Sequence, residues 1–296
     1  MVVREREMVS VHVADLPEPW RSAAVTVVLP TFNEAPNLPV LVAALLALPL
    51  TGLRILIADD NSPDGTGEIA EDLATRYGRD RISVVHRPGK QGLGRAYVDG
   101  MTRAMQAGAQ FVVQMDSDLS HAPEYLPQLL GVLLSTDADA VIGSRYVAGA
   151  SVASDWPWHR RALSALANTY VRAVLRLRIR DVTAGFKLWR STALQAIDIA
   201  SIRSNGYSFQ VEMNYRASKQ GLKIIEVPIH FAERSEGESK MSLRVQLESA
   251  LMPVLLRYRK QNAPSTGGSP GRWTARTGGR TAAVRRARRR ARTALR

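Results

Sequence analysis

The chain has 296 residues, no cysteine, 45% hydrophobic residues and a formal net charge of +13. That composition excludes wholesale disorder, a collagen-like repeat and a disulfide-stapled module. Most of the charge is local: residues 264–296 hold ten Arg, no Lys and no acid, and the other 263 residues carry 30 basic against 27 acidic groups.

The first residues alternate Arg and Glu and lack the apolar run of a signal peptide, so residues 1–22 read as an extension and the protein as cytoplasmic. Ala23–Leu29 is a β-branched strand and Asn37–Leu48 a helix. Arg54–Ala58 is a second strand, followed by Asp59 and Asp60. Gly65–Tyr77 is helical, with Ser62 or Asp64 suited to cap it. Strand Ile82–His86, helix Gly94–Ala107, strand Gln110–Met115, helix Pro123–Ser135 and strand Ala140–Gly143 complete the alternation. This order predicts an α/β fold with a mostly parallel sheet and helices on both faces. Ligands of such sheets bind beyond the carboxyl ends of the strands, where this chain's polar clusters sit.

The second half departs from the pattern. Apolar residues at helical spacing predict helices over 160–176 and 242–258, the second kinked at Pro253. Each stripe suits either a core-facing side or a helix lying in a membrane interface. The longest apolar run, Pro39–Leu50, has twelve residues, short of the roughly 20 that span a bilayer. A folded domain over 23–262 and a disordered Arg-rich tail over 263–296 follow from the composition. The tail suits a solvated segment, an anchor for anionic lipid or a nucleic-acid contact.

The chemistry-bearing residues cluster at strand ends. The first strand ends in Pro30-Thr31-Phe32-Asn33-Glu34, without the Gly-rich turn of a dinucleotide fold. The second ends in Asp59-Asp60-Asn61-Ser62-Pro63-Asp64-Gly65-Thr66, and the fourth in Asp116-Ser117-Asp118. Carboxylates two apart after a buried strand suit one Mg²⁺ or Mn²⁺ shared with substrate phosphates. Gly89-Lys90-Gln91-Gly92-Leu93-Gly94 is a turn opening a helix, and that helix N-terminus is suited to sit near a nucleotide. The five His residues stand singly, so no zinc site is expected.

Together PTFNE, DDNSPDGT, DSDLSH, GSRY, the Arg160-Arg161 pair, TAGFKLWR and SNGYSFQVEM resemble the polyprenol-phosphate (dolichol-phosphate) mannose synthases, a group of inverting family-two glycosyltransferases with a GT-A fold. The resemblance covers roughly 25–259. It implies transfer of mannose from GDP-mannose to a polyprenyl monophosphate. It places Pro30, Phe32, Glu34, Ala58 and Asp60 at the guanosine, and Asp116 and Ser117 at ribose and diphosphate. Asp118 would hold the divalent metal (Mg²⁺ or Mn²⁺), with Ser120 a further ligand. Arg145, Arg160 and Ser164 would hold the acceptor phosphate, and Arg145, Arg234 and Lys240 the donor diphosphate. Asp118, Arg145 and Arg160 are thus the catalytic set.

The residues agree with an anionic acceptor. A phosphate is already ionised and needs cationic positioning, whereas a hydroxyl acceptor needs a general base. Family-two relatives often carry an acidic pair at the start of a late helix; here that stretch reads Tyr207-Ser208-Phe209-Gln210, with Glu212 beyond it. Asp181 and Lys187 read as an internal ion pair or as support for the site. Expected partners are the lipid, the inner membrane face on which the enzyme would lie peripherally, and an integral-membrane protein. No nucleic-acid partner is expected from the near-neutral body. The alternatives are a UDP-sugar donor such as UDP-glucose, or a non-catalytic protein that binds membrane or nucleic acid.

Overall fold

A computed structural model of the chain describes residues 14–153, 158–232 and 243–258, without the side chains of 159, 160, 207 and 243–250. The first half follows the alternation closely: β1 (Val25–Thr31), α1 (Leu38–Leu46), β2 (Leu53–Asp59), α2 (Thr66–Tyr77), β3 (Ile82–His86), α3 (Leu93–Gln106), β4 (Phe111–Gln114), α4 (Leu126–Ser135) and β5 (Ala140–Ser144). Then come β6 (Ser151–Val152), α5 (Trp158–Leu175), β7 (Lys187–Arg190), α6 (Ser191–Ala196), α7 (Gly206–Lys219), β8 (Ile224–Pro228), β9 (His230–Phe231) and α8 (Leu243–Tyr258).

Seven strands form one sheet in the order β3-β2-β1-β4-β7-β5-β8, and β6 pairs with β9 in a second. All pairs in the large sheet are parallel except those of β7, which runs antiparallel between β4 and β5. The alternation of strand residues sorts the core. Val25, Val27, Leu29, Ile55, Ile57, Val113 and Leu188 meet α1, α2 and α4 on one face. Val28, Leu56, Val112 and Trp189 meet α3, α6 and α7 on the other. A third cluster joins Val171 and Leu175 of α5 to Val211 and Tyr215 of α7 and Leu256 of α8. At about 25 cal/mol per Å² of buried apolar surface, these clusters are the main source of stability.

Two local expectations resolve differently. Asp64, not Ser62, serves the start of α2: its Oδ1 accepts the Thr66 N–H at 3.1 Å and the Thr66 hydroxyl at 2.5 Å. Ser62 instead donates to Asp59 and accepts the Asn33 N–H. Pro253 lies inside α8, which continues through it.

Candidate active site

The site lies at the carboxyl ends of β1, β2, β4 and β5. Three of these ends turn through a non-glycine residue in the left-handed region: Asn33 (φ 61°), Asn61 (φ 58°) and Leu119 (φ 60°). For leucine that conformation costs about 1–2 kcal/mol, and the Asp118 carboxylate braces it by accepting the Ser120 N–H. The loop after β1 is held from the loop after β2. The Asn33 N–H reaches Ser62 Oγ, the Glu34 N–H reaches Thr66 Oγ1 at 2.9 Å and the Ala35 N–H reaches Asp64 Oδ2. The loop after β1 is thereby latched to the loop after β2.

The two neighbouring acids of β2 have different work. Asp59 is internal, accepting the Thr31 and Ser62 hydroxyls and the Ser62 N–H. Asp60 is held by the Arg87 guanidinium, and both side chains are buried. Burial pushes the Asp60 carboxyl up, against the opposing pull of Arg87. Pro30 and Ala58 are paired neighbours on β1 and β2, and Phe32 lies half-buried just beyond them. The residues assigned to the nucleoside are thus gathered at one edge.

The acids after β4 are fixed from several sides. Asp116 Oδ1 accepts the Tyr97 hydroxyl at 2.7 Å. Burial raises the Tyr97 pKa well above its usual value, reinforced by the Asp116 charge, so the phenol stays a donor. The Asp116 N–H donates to His121 Nδ1, which puts the proton of neutral His121 on Nε2. Ser117 Oγ donates to the Pro30 carbonyl at 2.8 Å, tying β4 to β1. Asp118 Oδ1 accepts both the N–H (3.1 Å) and the hydroxyl (2.5 Å) of Ser120. Ser120 therefore orients the Asp118 carboxylate in this arrangement. A Cβ on Gly185 would lie 2.9 Å from Asp116 Oδ2 and 3.0 Å from His121 Cε1, so only glycine leaves that flank of the carboxylate open.

Arg145 follows β5, which β7 separates from β4 in the sheet. Asp181 grips it with Oδ2 on Nε (2.8 Å) and Oδ1 on Nη2 (2.8 Å), and also accepts the Arg145 N–H. Thr183 accepts a further bond from Nη2. Ser164, on α5, accepts the Tyr146 hydroxyl at 2.6 Å, so it is brought beside the residue that follows Arg145. The Arg160 side chain, Arg234 and Lys240 lie outside the described residues.

Of the two readings of Asp181 and Lys187, the ion pair does not form, whereas Asp181 supports Arg145. Asp181 is occupied by Arg145, while Lys187 on β7 turns to α7. Its Nζ donates to Gln210 Oε1 (2.9 Å), Asn214 Oδ1 (3.2 Å) and the Gln210 carbonyl. Burial pulls the Lys187 pKa down to about 7, against the upward pull of the Asp181 charge. Free amine titrates near 10.5. Between these values the unfolded chain binds a proton that the folded one releases, so stability rises with pH across that window. In urea unfolding from pH 6.5 to 9.5, wild type should gain on Lys187→Met by up to about 1.4 kcal/mol per pH unit. Parallel stability curves would show that Lys187 keeps its proton throughout.

Arg87 and Tyr97 lie outside the strand-end clusters, so spacing does not mark them. His121 stands inside DSDLSH, but its contact with the Asp116 N–H is set by the fold. Glu212, beyond Gln210, is buried and engaged by Arg216 and Ser204.

A mostly parallel sheet with one antiparallel strand inserted, and paired acids beyond the end of a central strand, is the architecture of the GT-A glycosyltransferases. Residues 26–198 match the family described as glycosyl transferase family 2, and the chain belongs to that family. It is 46% identical over 217 residues to a Mycolicibacterium smegmatis protein named polyprenol monophosphomannose synthase, covering 73% of this chain and 80% of the relative. It is 44% identical over 220 residues to the undecaprenyl-phosphate mannosyltransferase of Micrococcus luteus, covering 74% and 87%. Among solved structures, a Pyrobaculum calidifontis mannosyltransferase in complex with GDP-Man and Mn²⁺ aligns with TM-score 0.54 and 17% identity, over 81% of this chain and 66% of that one. Glucosyl-3-phosphoglycerate synthase of Mycobacterium tuberculosis, in complex with Mn²⁺, UDP-glucose and phosphoglyceric acid, aligns with TM-score 0.55 and 19% identity over 78% and 79%. At those identities the likeness is one of fold.

Proposed function

We propose that the enzyme transfers mannose from GDP-mannose, with inversion, to the phosphate of a polyprenyl monophosphate. The observation that carries the reading is the acceptor side of the cleft. Arg145 is a guanidinium fixed by Asp181, and in the sequence an amide, Gln210, whose oxygen is bound by Lys187, stands where family-two relatives often carry an acid. A preset cation with no carboxylate at the base position suits an acceptor that arrives ionised. The names of the two relatives support both the sugar and the lipid class.

Asp118 would hold a divalent cation, with Ser120 as a further ligand. Among the described residues no group of three or more His, Cys, Asp or Glu could form a metal cage. A buried carboxylate with a hydroxyl beside it, and the remaining positions left to phosphate and water, is a donor set Mg²⁺ and Mn²⁺ accept, so the residues fit. Such an ion supplies charge stabilisation to the leaving diphosphate. Pro30, Phe32, Glu34, Ala58 and Asp60 take the guanosine, Asp116 and Ser117 the ribose and diphosphate, and Arg145 with Ser164 the acceptor phosphate. Arg160, Arg234 and Lys240 are assigned to the two phosphate groups from sequence alone.

A lipid acceptor requires the enzyme to meet a membrane. Among the described residues no helix is long and apolar enough to cross one. Yet α5 and α8, which pack together, leave Trp158, Leu163, Leu166, Leu251, Leu255 and Tyr258 in solvent. Exposed Arg161, Arg176 and Arg178 flank or follow the α5 stripe. Apolar side chains beside cations suit an anionic bilayer surface, and we place the enzyme peripherally on the inner membrane face.

The test is transfer of labelled sugar from GDP-mannose, UDP-glucose and UDP-GlcNAc to polyprenyl phosphate in anionic vesicles, with Mn²⁺ and with EDTA. Metal-dependent mannolipid from GDP-mannose alone is expected; product only from a UDP-sugar would replace the donor. In the same vesicles, Leu166→Asp with Leu255→Asp should reduce binding and transfer at least tenfold. Unchanged binding would remove the membrane role from this surface.

A further inference from the structure

The turn between β3 and α3 carries a contact that the donor assignment above does not use. Lys90 Nζ stands 3.9 Å from the centroid of the Phe32 ring, 58 positions away in sequence. Phe32 is half-buried and Lys90 is exposed. The segment that carries Lys90 is tied down on both sides. At its start the Arg87 N–H donates to the Asp59 carbonyl at 2.8 Å, and the Arg87 side chain grips Asp60. The Gln91 N–H also donates to Asp60. At its end Gly94 lies so close to the loop before α7 that a Cβ there would stand 2.3 Å from the Ser204 carbonyl oxygen. Pro88 to Gln91 therefore form a short strap at the edge where Phe32 and Asp60 meet, with the ammonium of Lys90 over the aromatic face.

Resting on the GDP-mannose reading, we propose that Lys90 is a donor-specificity residue: it yields the Phe32 face to the guanine and takes the base's acceptor edge. Guanine presents O6 and N7 to a lysine, whereas adenine presents an amino donor in place of O6. The balance of the two contacts decides the direction. A cation over an exposed ring contributes roughly two- to fivefold to an equilibrium, and a hydrogen bond from a charged donor roughly ten- to a hundredfold. Leaving the ring for the base is therefore a net gain. Because the strap is anchored at Asp60, Lys90 reaches the base without reordering a long loop.

The experiment is calorimetric titration of GDP, ADP and UDP, with Mn²⁺, into the full chain and its Lys90→Ala and Lys90→Arg variants. Lys90→Ala should bind GDP about tenfold more weakly and ADP nearly as before, so the preference for GDP over ADP shrinks. Lys90→Arg, whose fork also fits O6 and N7, should stay within about threefold of wild type for GDP. In turnover the loss should appear in KM for GDP-mannose, with kcat changed less than twofold. Unchanged or tighter GDP binding by Lys90→Ala, or an equal loss for GDP and ADP, overturns the assignment. A wild-type preference for UDP over GDP overturns the donor reading itself, and is seen without any variant.

Discussion

Transfer should fall by about a thousandfold when Asp118 is replaced by alanine, and nearly as far when it is replaced by asparagine. The carboxylate is buried at the end of β4, behind a left-handed Leu119, with one oxygen fixed by the Ser120 N–H and hydroxyl. The proposed role of that charge is to hold the divalent cation. Losing a cation's charge stabilisation is worth several kcal/mol, and about 4 kcal/mol corresponds to a thousandfold in rate. The two variants separate chemistry from folding. Alanine leaves two buried Ser120 donors without their acceptor, which costs about 1–3 kcal/mol of stability. Asparagine keeps an acceptor oxygen of the same reach and removes only the charge. Both should lose Mn²⁺-dependent GDP binding by calorimetry, and only the alanine variant should unfold at clearly lower urea. An asparagine variant that retains more than a tenth of wild-type transfer would take Asp118 out of the metal site.

The first half of the fold is readable because short apolar strands alternate with helical stretches, and β2 and β4 run directly into acids. Val25–Thr31, Leu53–Asp59 and Phe111–Gln114 are buried along most of their length, and their polar ends mark the cleft. In the second half the helices α5 and α8 are readable from their apolar spacing, but the strands are not, for physical reasons. β7 begins with Lys187, a charge fully buried in a strand, so its pattern reads as surface. Only its antiparallel place between β4 and β5 explains the burial. β8 carries Glu226, whose carboxylate is spent on the Arg180 and Asp181 N–H groups. Spacing along the chain cannot show such partners. The same holds in the site: DSD was visible, but its supports come from α3 (Tyr97), from β1 (the Pro30 carbonyl) and from the neighbouring His121. The α5 stripe was legible as apolar but not as divided. Val171 and Leu175 enter the core, while Leu163 and Leu166 stay in solvent.

Asp181→Ala should cost about 3–5 kcal/mol of stability and at least a hundredfold of transfer, and the two losses should be separable. Asp181 is fully buried and satisfies three Arg145 donors at once, so its removal strands a nearly buried guanidinium. That cost belongs to the unpaired charge, not to the pair. Arg145→Met in the same chain should therefore return much of the lost stability, since an apolar side chain fills the space without needing a partner. Activity should not return with it. Arg145 is assigned to the phosphates, and Asp181 acts through it by fixing the plane of the fork. A guanidinium held in advance meets a phosphate without reorganising at the moment of reaction. Asp181→Asn sharpens the point: its amide can still accept one Arg145 bond but offers an N–H where the second acceptor stood. It should raise KM for the lipid phosphate more than KM for GDP-mannose. Urea unfolding and separate donor and acceptor titrations measure both parts. If the double variant recovers transfer along with stability, Arg145 is a structural cation, and the acceptor phosphate is held by other groups.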